Sequence, residues 1–198
     1  MCANAGTCAS VCLKNTGMNV FPASALARAN RTASFVDEKG LFLAKVEKEI
    51  ERVASKAKKL GFKFAFRPNL LSDRPDMAIS LATKFPSVQF YDYTKLQKPW
   101  TRVKSNYHIT ASFSERMTLS DLIETIDNGV NVAVVFNRLR NDDLPESITI
   151  KGKHIQVIDG DKHDLRFLDP TGVIVGLRFK GSRTNMEAGI KGGFVMSV

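Results

Sequence analysis

Two kinds of hydrophobic spacing divide this chain near Gly61. Before it, Leu41, Phe42, Val46, Ile50, Val53, Ala57 and Leu60 recur every three or four positions, the stripe by which a helix buries one side. That spacing predicts a helix over 38–60, ended by Gly61, since glycine adopts the conformation that closes helices. A shorter helix is predicted over 21–33, introduced by Phe21-Pro22, because proline suits a first helical turn. Beyond Gly61, short apolar runs alternate with helical stretches. Strands are predicted at 62–67, 88–93, 107–113, 130–136, 155–158 and 173–177. Helices are predicted at 77–84, after Arg74-Pro75-Asp76, and at 119–128, capped by Thr118 or Ser120 and closed by Gly129. The stretch 141–145 reads as a loop and Gly189 to Gly193 as a turn.

Strands alternating with helices predict an α/β fold. The expected form is a mostly parallel sheet, or a partial β/α barrel, with helices packed outside. Nothing in the composition marks a linker, so the expectation is one domain over 1–198: a cysteine-rich loop to residue 20, a helical lead-in to 60 and a β/α core from 61.

Composition narrows the class. With 198 residues, 43% hydrophobic and 25% charged, the chain can bury one sizeable core and is not of disordered type. It has no apolar run long enough to span a membrane, and no basic stretch followed by an apolar one at its amino terminus. A cytoplasmic, reducing location is the expectation. Lysine and arginine exceed the acids by 29 − 20 = 9, which favours phosphate-rich partners such as nucleic acid. Lys45, Lys48, Arg52, Lys56, Lys58 and Lys59 would carry that surface, or else form the solvated face of a helix. No aromatic residues are interleaved with them as a base-stacking platform would require.

The candidate chemistry begins with cysteine. Cys2, Cys8 and Cys12 are the only three in the chain, and clustering in a reducing compartment argues for shared metal chemistry over a disulfide framework. Iron–sulfur and zinc are both open, and a third reading is that the thiols bind nothing. No histidine sits at finger-like spacing from them. In parallel α/β sheets ligands bind beyond the carboxyl ends of strands, and those ends are polar here. Arg67, Asn69 and Asp73 follow the first predicted strand, Asp92 and Lys95 close the second, and Asp159 and Asp161 follow a later one. These seven are the candidate substrate or cofactor residues. Residues 159–164 resemble a calcium loop, but Pro170 stands where the bidentate glutamate belongs, so a turn between strands is expected. His108 is read as a hydrogen-bonded core residue. Phosphate-loop, nucleophile-elbow and dinucleotide motifs are missing.

Several segments together resemble the phage gene product 88 family. They are Cys12-Leu13 with Thr16-Gly17, Arg67-Pro68-Asn69-Leu70-Leu71-Ser72-Asp73, Phe90-Tyr91-Asp92-Tyr93-Thr94-Lys95, and Val157-Ile158-Asp159-Gly160-Asp161 followed by 172–177. The resemblance spans nearly the whole chain and implies a phage origin. A second, more partial resemblance is to radical S-adenosylmethionine enzymes, which hold a 4Fe-4S cluster on three cysteines at the front of an α/β barrel. It implies such a cluster on Cys2, Cys8 and Cys12, with S-adenosylmethionine as cofactor. The intervals differ, five and three residues here against three and two in those enzymes.

Overall fold

A computed structural model describes Cys2 and residues 5–198; Met1, Ala3 and Asn4 of the cysteine-rich loop lie outside the described residues. Its helices are α1 (Pro22–Asp37), α2 (Lys39–Lys59), α3 (Pro75–Lys84), α4 (Leu119–Asp127) and α5 (Arg183–Lys191). The strands are β1 (Ala65–Phe66), β2 (Gln89–Thr94), β3 (Tyr107–Ser112), β4 (Val132–Phe136), β5 (Ser147–Ile150), β6 (Lys153–Asp159), β7 (Ile174–Arg178) and β8 (Val195–Met196). They form one sheet in the order β1-β2-β3-β4-β7-β6-β5, with β8 also on β4. Every pairing is parallel except the β5–β6 hairpin. The α/β expectation therefore holds, as a mostly parallel open sheet. Among the described residues no helix is long and apolar enough to cross a membrane.

Strand alternation sorts the side chains by face. One face carries the apolar cores. Leu122 and Ile126 of α4 pack on Ala111, Val132, Val134, Phe136 and Ile174. Farther along, Ile50 of α2 and Ala78, Leu81 and Ala82 of α3 pack on Phe90, Tyr107 and Ile109. Thr118 caps α4 through a reciprocal bond pair with Asp121, satisfying otherwise unpaired amide groups of its first turn. The opposite face carries Tyr91, Tyr93, His108, Thr110 and Ser112, and it is this face that holds the cavity described below.

The sheet forks at β4. Ala111 and Ser112 of β3 pair with Val132 and Ala133, whereas Val135 and Phe136 pair with Val195 and Met196 of β8. Since β7 lies along the other edge of β4 throughout, β3 must part from β4 where β8 begins. That parting opens a crevice at the carboxyl ends of the strands.

Several expectations need correction. The first strand is two residues long, not six. Helix α1 runs on to Asp37. Gly189 lies inside α5, and only Gly192 and Gly193 turn the chain after it. Residues 160–173 are not a tight turn. They form a crossover between the parallel β6 and β7, with a short 3-10 turn at Arg166–Leu168, because parallel neighbours cannot be joined by a hairpin.

Candidate functional site

One large cavity, of about 1520 Å³, occupies the crevice. Its floor is the inner face of the sheet at Tyr93, Ser112, Ala133, Val135 and Leu177, and α1 and the cysteine loop form a wall. All three cysteines line it, together with Arg67, Asn69, Asp73, Lys95 and Asp161. Eight of the ten sequence-predicted residues thus meet in one place; Asp92 and Asp159 stand just behind it.

The cysteine loop is seated, not frayed. Thr7 donates its backbone N–H to Glu115 Oε1 at 3.0 Å, just beyond β3. A Cβ at Gly6 would overlap that same carboxylate, and one at Gly192 would overlap the Thr7 methyl, so both contacts need glycine. Cys8 and Val11 are buried, Val11 packing with Phe179 and Val195. Cys2 and Cys12 are half-buried. Burial pushes the Cys2 thiol above its ordinary range, against the pull of the nearby Lys95 ammonium.

The loop after β1 is fastened to β2 by two latches. Asp92 Oδ1 accepts the Asn69 backbone N–H at 2.9 Å and Asp92 Oδ2 accepts Asn69 Nδ2 at 2.9 Å. Asn69 Oδ1 in turn accepts from Ser72 Oγ and the Arg74 N–H. The second latch runs through Asp73, whose two oxygens accept Thr94 Oγ1 at 2.8 Å and the Lys95 N–H at 2.9 Å. Burial raises the Asp92 carboxyl to about 6, although the two Asn69 bonds oppose the shift. The polar atoms of Asn69, Asp73 and Asp92 are therefore committed to the loop. Asp159 and Asp161 are committed too: both pair with Arg178, at 2.9 and 3.3 Å, and Lys180 reaches Asp161 at 3.1 Å.

Arg67 and Lys95 differ from these. Arg67 lies over the Tyr93 ring, 4.5 Å from its centroid, and its Nη1 meets Asp164 at 2.8 Å, but its Nε is buried without a partner. The Lys95 ammonium has no hydrogen bond or ion pair among the described residues. Tyr93 and Ser112 also line the cavity with uncommitted hydroxyls. Both belong to the polar strand ends at which a site is expected, though not to the seven candidates; alternation along β2 and β3 turns them to this face. Burial lifts the Tyr93 phenol to about 12, so it stays a proton donor at neutral pH.

Below this floor the crossover covers the inner face. Arg166 is fully buried and pairs with Asp169 at 3.2 Å. His108 departs from the hydrogen-bonded state expected of it: its Nε2 is buried and unpartnered, and burial with the neighbouring Arg166 lowers its pKa. Elsewhere, the basic run on α2 is exposed but interleaved with acids. Arg52 pairs with Glu49 at 2.7 Å, and Glu47 holds Lys84 from α3.

Thiols are the donor type that an iron–sulfur centre takes. Among the described residues no three histidine, cysteine, aspartate or glutamate side chains stand close enough together to hold a metal ion, so the metal centre expected on Cys2, Cys8 and Cys12 is not preformed in this arrangement. The family described as Gene product 88 matches residues 1–195. No curated protein and no solved structure matches the chain.

Proposed function

The chain belongs to the phage gene product 88 family, and from that premise we propose that it is an iron–sulfur enzyme of the radical S-adenosylmethionine type, working in the cytoplasm of the infected host. The observation that supports this reading is the meeting of Cys2, Cys8 and Cys12 with the carboxyl ends of parallel strands around one cavity. A 4Fe-4S cluster on those cysteines would supply the electron for reductive cleavage of S-adenosylmethionine to a carbon radical. The chain's own residues do the rest. Helix α1 and the cysteine loop wall the cavity on one side. Arg67 and Lys95 offer positive charge to the ligand. Asn69, Asp73 and Asp92 act one step back, holding the loop that carries Arg67 against β2.

Anaerobic reconstitution with iron and sulfide tests the reading. The expected result is a brown protein whose visible absorption changes on adding S-adenosylmethionine, and whose colour is lost in Cys8→Ser. A colourless protein would refute the reading, and uptake of zinc alone would favour a zinc-stabilised basic, non-enzymatic protein that binds nucleic acid or a host factor.

A further inference from the structure

Among the described residues, Arg67 Nε, His108 Nε2, Thr110 Oγ1 and Arg166 Nε are buried side-chain atoms without a hydrogen-bond partner, and Arg166 Nη1 and Asp169 Oδ2 meet only each other, as an ion pair at 3.2 Å. Such atoms are rare in folded proteins, because each one costs the water it gave up. Here they adjoin one region. Tyr91 pairs in register with His108, and Tyr93 with Thr110, so these four side chains stand side by side on the inner face. Thr110 lies one pleat below Ser112 on the same strand and face, about 7 Å along it. Arg166 reaches this patch from the crossover, where its charge bears on both Tyr93 and His108.

The imbalance is toward donors. Arg67 lies over the Tyr93 ring and pairs through Nη1 with Asp164, and Arg166 pairs through Nη1 with Asp169, which leaves the Nε–H of each without a partner among the described residues. The carboxylates that could answer them are already paired: Asp164 with Arg67 and Asp169 with Arg166. The hydroxyls of Tyr93 and Ser112 face the cavity without partners. Donors that converge without acceptors recognise an oxyanion.

We propose that the inner end of the cavity is an oxyanion site, where a carboxylate or phosphate group of the ligand settles against Tyr93 and Ser112, is bound by Arg67, and is stabilised from beneath by the charge of Arg166. This names the substrate class for the cavity of the proposed function, yet it rests on residues other than the cysteines. Tyr93 and Ser112 supply hydroxyl donors, Arg67 the direct charge, and Arg166 a positioning field that water cannot screen.

Titration calorimetry of the metal-free full chain, with inorganic phosphate and separately with acetate at fixed ionic strength, tests it. Saturable binding of at least one anion is expected, and the stronger of the two identifies the ligand group. The affinity should fall about tenfold or more in Arg67→Gln and in the Tyr93→Phe/Ser112→Ala double variant, a loss equivalent to at least one charge-assisted hydrogen bond. It should be unchanged in Lys48→Gln. No saturable binding of either anion, or equal affinity in the double variant and wild type, would overturn the assignment. Binding that persists in a protein unable to take up iron would leave the oxyanion site standing and the iron–sulfur reading refuted, so the two fail separately.

Discussion

The latch at the head of β2 and the cavity rim beside it are made of similar residues put to opposite use. Asn69, Asp73 and Asp92 form a closed set in which each polar atom meets a partner, at 2.7 to 3.3 Å. Arg67, Tyr93, Lys95 and Ser112, a few residues away in chain or register, keep donors unused and turn them to the cavity. Polarity at a strand's end thus has two meanings, and only the count of satisfied atoms separates them. The latch gives the site its shape; the rim supplies what a ligand would touch.

The sharpest way to break this comparison is to remove one member of each set. Asp92→Ala strands the Asn69 N–H and side-chain amide in a buried position, and should cost about 2–4 kcal/mol in urea unfolding. Lys95→Ala should stay within about 0.5 kcal/mol. Equal losses in the two variants would erase the distinction.

The pH dependence of stability comes next in size. The buried Asp92 carboxyl is raised from 3.8 to about 6, so the folded state binds its proton more tightly than the unfolded chain. Its contribution is fully present below about pH 4 and lost as pH rises through 6, on the order of 2–3 kcal/mol in all. Other carboxylates superimpose their own trends, so the reading is a difference. Asp92→Asn, which does not ionise, should lack this component, and its stability relative to wild type should rise between pH 4 and 6. A constant difference across that range would contradict the burial argument.

Smaller effects are expected at the rim. Gly6→Ala forces Glu115 aside and endangers the Thr7 bond. About 1 kcal/mol of destabilisation and faster proteolysis of the cysteine loop should follow. Smallest of all, Cys12→Ser in metal-free protein should change stability by less than about 0.5 kcal/mol, because the thiol is half-buried and shapes no core. A large loss there would make Cys12 a packing residue instead of a ligand.

Much of this was legible in the sequence, and the exceptions have physical causes. The helical stripe of α2 and the apolar runs of β2, β3 and β4 were readable because burial imposes their spacing. The β5–β6 hairpin was missed although it has a signal: Lys151 and Gly152, both at positive φ, form the two-residue turn between Ile148/Ile150 and Ile155/Val157. Helix α5 was missed because it is polar and mostly exposed, with Gly189 in its interior. The candidate residues converge on one cavity because strand ends converge in parallel sheets. What they do there was not legible, since the partners of Asn69 and Asp73 lie on β2, and Arg166 is brought to Tyr93 by a crossover that local pattern does not reveal.

The proposal that Cys2, Cys8 and Cys12 hold an iron–sulfur centre beside this cavity is tested most directly by elemental analysis of protein purified without oxygen. Iron and acid-labile sulfide are expected in equal amounts, both lost together in Cys2→Ser, Cys8→Ser and Cys12→Ser. Protein that carries zinc alone, or no metal, with all three cysteines intact would contradict it.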